Sequence, residues 1–370
     1  MKILFTRFPL ESAHGGAESQ TTSLMKGLKK REHAVAFLGS CPTLLVLCQQ
    51  HQIPCAGLDI GLPPVSKDTI ISFPWRGRRM KSKLEKAFEE FREHGLDVIY
   101  MLSLSEKLLL TQPAIDAGVR VFWIEHDPIG PWLKHNPYLR KLLKLSHLAT
   151  TICVSELSRE LYIDLGWDPD NVVGIPNGID PQRFTIEPPE EREPSDQPHI
   201  GCVARLADEK GIDLLVKAVK DLPNVTLNIV GMGSEQDNLE KLISKYKLSE
   251  RVSIEPRKGN ISAFYRSLDM LVLPSKRHDP FGLVAAEAMM LGTPVVVTDA
   301  CGIARQLIHG KDAIIAEANS VEALKENISE LLIDEKKRQN IAQAGQQKAL
   351  SAFTESSMID RYEELLLRNK

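Results

Sequence analysis

The feature that most limits what this chain can fold into is a rhythm. Short apolar runs alternate with amphipathic segments almost from end to end. Residues 3–5, 34–38, 98–102, 119–124 and 150–154 read as buried strands, and 18–30, 80–93 and 105–117 as helices between them. The second half repeats the pattern: strands are expected at 199–204, 225–230, 252–254, 270–273 and 294–297, and helices at 212–220, 235–246, 262–268 and 283–291. Strands apolar on both faces that alternate with helices demand parallel sheets covered on both sides. The rhythm breaks at 185–198, a stretch rich in proline and acidic residues with almost nothing to bury, which reads as a linker. The expected architecture is therefore α/β: two doubly wound domains, 1–184 and 199–350. Residues 351–370 form a final segment whose amphipathic helix, 353–367, packs back on the first domain. A length of 370 residues suits two domains. No repeat of 20–50 residues interrupts this reading.

Composition excludes several classes of function. With 46 basic and 49 acidic residues the formal net charge is −3, so no bulk attraction to nucleic acid exists and any anionic ligand must meet local cations. The N-terminus meets charge too early for a signal peptide, and no run approaches 18 apolar residues, so a cytoplasmic protein is expected. Six cysteines form no C-x-x-C pair. Cys41, Cys48 and Cys55 recur every seven residues, but buried free thiols account for them better than a metal site.

In doubly wound sheets ligands bind beyond the carboxyl ends of the strands, which directs attention to two segments. In the first, a strand ending at Ala204 is followed by Arg205 and Lys210 just before a helix. A guanidinium fork and an ammonium point charge suit a diphosphate, although two solvated surface cations would look the same. In the second, Pro274-Ser275-Lys276-Arg277-His278-Asp279-Pro280-Phe281-Gly282-Leu283, a strand ends, a loop carries Asp279, and a helix starts near Phe281. Open N–H groups at a helix start can receive phosphate oxygens. Glu287 then stands among Ala285, Ala286, Ala288, Met289 and Met290. A carboxylate in such company needs a partner, either a ribose diol or a structural donor.

These two segments resemble the retaining nucleotide-sugar glycosyltransferases of family 4, which have the GT-B fold of two Rossmann-like domains facing each other across a cleft. That family carries a G-R-L-x-x-x-K-G pattern early in its second domain and P-S-x-x-E-x-F-G-L-x-x-x-E-A-M-x-x-G-x-P-V-V later. The resemblance implies that Arg205 and Lys210 bind the donor diphosphate, that Phe281, Gly282 and Leu283 lie under the phosphates, and that Glu287 binds the ribose. It continues through Gly292, Thr293, Pro294, Val295 and Val296. Two positions depart from it: Asp279 stands where the family usually has Glu, and Ala204 where Gly is common.

The first half matches more loosely. A strand leads to His14-Gly15-Gly16-Ala17-Glu18, where paired glycines allow close approach to an anion at a helix start, or simply make a turn. By resemblance Gly15 and Gly16 face the donor, and His126, at the end of the strand Trp123-Ile124-Glu125, points at the donor sugar. Val154-Ser155-Glu156 and the 175–180 segment resemble further landmarks of the family. Gly231-Met232-Gly233 reads as a tight turn, and the loop at 255–259 as a candidate base contact by resemblance. Asp168-Pro169-Asp170 has the acid-x-acid form of a metal site but lies in a polar turn, and a turn accounts for it better.

The expected activity is transfer of a sugar, with retention, from a UDP- or GDP-sugar to a hydroxyl of a glycan or lipid-linked acceptor. Arg205, Lys210, Asp279 and His126 are the catalytic set, and no metal or other cofactor is required. A same-fold epimerase or phosphorylase, or a non-catalytic nucleotide-sugar binder, is the rival reading; a dehydrogenase is disfavoured because G-x-G-x-x-G is absent. The basic stretch Trp75-Arg76-Gly77-Arg78-Arg79-Met80-Lys81-Ser82-Lys83, with Leu84, Phe88 and Phe91 after it, reads as a peripheral membrane contact, and Arg140-Lys141-Leu142-Leu143-Lys144 adds a second basic patch. A solvated basic helix face is the alternative for both.

Overall fold

The computed structural model describes residues 1–9, 15–184, 197–222, 224–256 and 258–368. His14 and the linker positions 185–196 lie outside them. The chain divides into two compact units, Met1–Gly178 with Met358–Lys370, and Ile179–Ser357.

The first unit is built on a wholly parallel sheet of β1 (Lys2–Arg7), β2 (Ala34–Gly39), β3 (Cys55–Gly57), β4 (Val98–Met101), β5 (Arg120–Glu125), β6 (Thr150–Cys153) and β7 (Val172–Gly174). Their spatial order is β3-β2-β1-β4-β5-β6-β7. Chain order reverses between β1 and β4, so the crevice at their carboxyl ends is the switch point of this sheet. Phe5, Tyr100 and Phe122 occupy paired positions on β1, β4 and β5 and stack in a row, with centroids 4.7 and 5.1 Å apart. The last helix, Glu355–Arg368, covers that row with Met358, Ile359 and Tyr362. It is anchored by Arg31, which pairs with Asp360 and Glu363. The opposite face packs Leu4, Ile99 and Trp123 against the helices Lys67–Glu93 and Leu104–Asp116.

The second unit has six described strands, all parallel: β8 (His199–Val203), β9 (Thr226–Val230), β10 (Val252–Glu255), β11 (Met270–Leu273), β12 (Val295–Thr298) and β13 (Ile314–Ala316). Their order is β10-β9-β8-β11-β12-β13, with the switch point between β8 and β11. The expectation of two doubly wound parallel sheets holds.

Several local expectations change. β3 and β13 were not expected: each is three residues long, too short for periodicity to register. The helix expected from residue 80 begins at Lys67, because a Ser66–Thr69 capping box starts it and Pro74 is carried on its exposed side. Leu84 and Phe88, read as part of a membrane-facing segment, are instead buried in the first core, and Phe91 packs against it. No helix of the described residues is long and apolar enough to cross a membrane.

Candidate functional site

In the second unit the chemistry gathers at the switch point. Arg205 and Lys210 follow β8, and Asp279 follows β11. Gly211 lets the two loops meet: it has φ +66°, and a Cβ there would lie 2.0 Å from the Pro274 carbonyl oxygen. The Lys276 amide then donates to the Glu209 carbonyl, stitching the loops together. As a result Lys210 Nζ donates to Asp279 Oδ2 at 2.6 Å, and both side chains are largely buried. Ser275 Oγ donates to the same oxygen at 3.2 Å. The Asp279 backbone is pinned on both sides, its amide donating to Ala300 O and its carbonyl accepting from Gly302 N.

Arg205 stands apart from that pair. Its side chain is 65% exposed, and its guanidinium donates to Glu209 Oε1 at 2.7 Å. Lys276 is held by Asp208 and Asp213, and burial, which lowers its pKa, is outweighed by those carboxylates, so its ammonium titrates above the usual lysine range. Among the cations of these loops Arg205 and Arg277 reach into solvent, 65% and 72% exposed, each on a surface salt bridge, to Glu209 and to Asp208, which is worth little.

The helix expected over 283–291, just after Phe281, runs over Leu283–Met290. Phe281 is buried and packs edge-on against Phe353, centroids 5.6 Å apart. Gly282 is the N-cap, at φ +97°, and no side chain caps the helix start. The helix thus starts, directly after the loop that carries Asp279, with first-turn amides that have no intrahelical partner and no side-chain cap. Glu287 is partly rather than fully buried. Its Oε2 accepts from the Tyr265 hydroxyl at 2.9 Å. Burial pushes its carboxyl up, and the Tyr265 hydroxyl and the Arg183 guanidinium pull it back. Tyr265 is a partner that sequence spacing did not reveal, because it comes from a different helix, Ile261–Ser267. In the same loop cluster, the Leu206 amide donates to Met232 O, so the Gly231-Met232-Gly233 turn supports the Arg205 loop. Glu255 is paired with Lys258 at 2.7 Å.

In the first unit the switch point carries buried ion pairs. Arg7, at the end of β1, pairs with Glu18 at 2.8 Å, and both are buried. Gly15 is the N-cap of the helix Gly16–Lys30 without a side-chain cap, and the Glu18 carboxylate packs against it. Lys107 Nζ donates to Glu125 Oε1 at 2.8 Å and to Ile124 O at 3.4 Å, with side-chain exposures of 4% and 9% for the pair. The Tyr162 hydroxyl also bonds Glu125. His126 follows directly. Burial, then the Arg7 guanidinium and the Lys107 ammonium, push its imidazole down to about 3, so it is neutral at physiological pH. Glu106 caps its own helix: Oε1 accepts from the Leu102 and Ser103 amides, while Oε2 is buried without a partner. Burial raises this carboxyl to about 8.

Arg7, Glu18, Glu106, Lys107 and Glu125 were not singled out from the sequence. Signals were present for two: Ser103-x-x-Glu106 is a capping-box spacing, and Arg7 ends an apolar strand as Arg205 does. Asp168 proves to be a turn cap, accepting from the Asp170 amide at 3.1 Å. Among the described residues no three His, Cys, Asp or Glu side chains converge as metal ligands. Cys41 and Cys48 are buried, Cys55 partly so, and burial pushes the Cys48 thiol up to about 12.

Two doubly wound units, each with charged side chains at its own switch point, define a two-domain α/β protein of the GT-B class. The model described as "Glycosyltransferase Family 4" matches residues 14–183, and that described as "Glycosyl transferases group 1" matches 184–348. The chain belongs to the GT-B glycosyltransferases of the family 4 type. It is 28% identical over 231 residues to the lipopolysaccharide core biosynthesis glycosyltransferase LpsE of Rhizobium meliloti, covering 60% of this chain and 66% of that one. It is also 28% identical to LpsD of the same organism, covering 78% of this chain and 79% of that one. The match thus spans slightly under two thirds of LpsE. Among solved structures, HepE of Anabaena in complex with UDP superposes with a TM-score of 0.81 at 23% identity, covering 99% of both chains.

Proposed function

We propose that this chain transfers a sugar from a nucleoside diphosphate sugar, UDP- or GDP-linked, to a hydroxyl of a glycan or lipid-linked acceptor, with retention and without a metal. The observation that carries the reading is the Lys210–Asp279 pair at the β8/β11 switch point, beside a helix start that no side chain caps. In this reading Arg205 exchanges Glu209 for a diphosphate oxygen, and Lys210 shares its charge between Asp279 and the departing phosphate. The amides at Phe281, Gly282 and Leu283 take up the rest of the charge that develops as the glycosidic C–O bond breaks. Asp279 and the neutral His126 hold sugar hydroxyls, and Glu287 with Tyr265 receives the ribose diol. The acceptor oxygen attacks the face the diphosphate leaves, and its proton passes to the leaving phosphate. HepE, the fold neighbour, was solved with UDP, and LpsE is named for lipopolysaccharide core synthesis; both support a nucleotide-sugar donor and a glycan acceptor. We place the work in the cytoplasm, at the inner face of a membrane where lipid-linked acceptors are presented.

The test is a donor screen followed by mutation. The matching UDP- or GDP-sugar raises the melting temperature, and the product keeps the donor's anomeric configuration with EDTA present. Arg205→Ala with Lys210→Ala lowers kcat on the order of a thousandfold or more, as expected when charge-stabilising donors are removed. Full activity in that double variant would overturn the assignment.

A further inference from the structure

The basic stretch noted in the sequence takes on a different composition once folded. Its expected apolar members, Leu84 and Phe88, point into the core. The exposed face of the same helix shows other residues: Ile71 is 58% exposed and Trp75 is 75% exposed, one helical turn apart. Arg78 and Arg79 continue that face, both exposed, and neither has an acidic partner among the described residues. An exposed tryptophan beside an exposed isoleucine gives up burial unless something covers it.

A second helix extends the surface. The helix Leu139–Ser146 lies against the first through the Phe73–Tyr138 ring contact, centroids 4.9 Å apart. It buries Leu142 and Leu145 and turns Arg140, Lys141 and Lys144 outward. Lys81, on the first helix, is near enough to Lys141 to oppose its charging: the Lys141 ammonium is held below the usual lysine range by desolvation first and by Lys81 second. The acidic groups on this side are few. Glu85 sits 3.4 Å from Lys81, and Asp68 lies in the first turn of the helix, next to Lys67. Cations are thus crowded on one face of a chain whose net charge is −3. Apolar side chains flanked by unneutralised cations are the chemistry of an anionic bilayer surface: the indole enters the headgroup boundary while the guanidinium and ammonium groups meet lipid phosphates.

We propose that the surface formed by Ile71, Trp75, Arg78, Arg79 and Lys141 docks the first unit on a bilayer containing anionic lipid. It goes beyond the transfer reaction and does not depend on it. Nucleic acid would use the cations and could stack a base on Trp75 but would leave Ile71 uncovered, and a second copy of this surface would be repelled by it.

The experiment is flotation of the full chain, without donor or acceptor, with vesicles of phosphatidylcholine or of phosphatidylcholine plus phosphatidylglycerol. The protein floats with the mixed vesicles at low salt, floats less at high salt, and stays down with the neutral ones. Each cation removed weakens partition about fivefold, so Arg78→Gln, Arg79→Gln and Lys141→Gln together cost on the order of a hundredfold. Binding also blue-shifts the tryptophan emission. Trp75→Phe abolishes most of that shift, because Trp123 and Trp167 are buried already and Trp132 is partly buried against the core with its indole N–H donating to Pro128 O. Melting curves of the variants report their folding, and transfer to a soluble acceptor by the triple variant separates this proposal from the catalytic one. No flotation at low salt, unchanged partition in a folded triple variant, a shift that persists in Trp75→Phe, or retention of an RNA oligomer in place of vesicles would each overturn it.

Discussion

The two switch points of this protein both carry cation–carboxylate pairs but differ in how far those pairs are buried. In the second unit Arg205 is exposed and paired with a neighbour four residues away, beside a largely buried Lys210–Asp279 pair. In the first unit Arg7–Glu18 and Lys107–Glu125 are sealed pairs. An exposed cation keeps its hydration and can exchange a weak partner for a ligand at little cost. A buried cation cannot, because removing its partner leaves a desolvated charge. On the proposed function the exposed Arg205 suits the second site to an anion, and the sealed pairs give the first a rigid, electrostatically biased wall around His126.

The sharpest way to break this contrast is to remove one cation from each side. Lys107→Met should strand Glu125 in the core and cost about 3–5 kcal/mol of stability, whereas Arg205→Ala should cost under about 1 kcal/mol while sparing little activity. Denaturant melts of the two variants measure the difference. Equal stability losses would show that burial does not separate the two sites.

A second effect concerns Glu106. Unfolded, this carboxyl ionises at its ordinary value of 4.5; folded, it does so only at about 8. Between those values the unfolded chain holds fewer protons, so stability from this group is full below about pH 4.5 and falls as pH rises, by about 1.4 kcal/mol per unit. Glu106→Gln keeps an oxygen for the Leu102 and Ser103 amides and removes the ionisation. Its melting temperature should overtake that of the parent protein above neutral pH, and parallel profiles from pH 5 to 8 would disprove the account. His126 works in the other direction: with its imidazole lowered to about 3, it holds fewer protons folded than unfolded, so its share of stability is lost as pH falls below about 6.5.

The smallest effect tests the binding side alone. Tyr265→Phe removes the hydroxyl that orients Glu287. A single neutral donor of this kind is worth about 1 kcal/mol, so titration calorimetry should find the donor Kd raised about fivefold with little change in kcat. An unchanged Kd would mean that Glu287 does not need its partner.

What could be read directly from the chain follows from locality. The alternation of apolar runs and helices specified parallel doubly wound sheets, since periodicity is written in neighbouring residues. Arg205, Lys210, Asp279 and Glu287 were visible because their spacing lies within two short segments. Tertiary structure decided what depends on residues far apart. It joined Lys210 to Asp279 across 69 positions and Tyr265 to Glu287 across 22. It buried Arg7 with Glu18 and Lys107 with Glu125, and it turned Leu84 and Phe88 inward and Trp75 outward. A charged residue looks the same in sequence whether solvated or sealed, and an aromatic looks the same on either face of a helix. Only the packing of other elements around them sets their dielectric surroundings, and those surroundings determine whether a charge binds a ligand, holds a neighbour in place or meets a membrane.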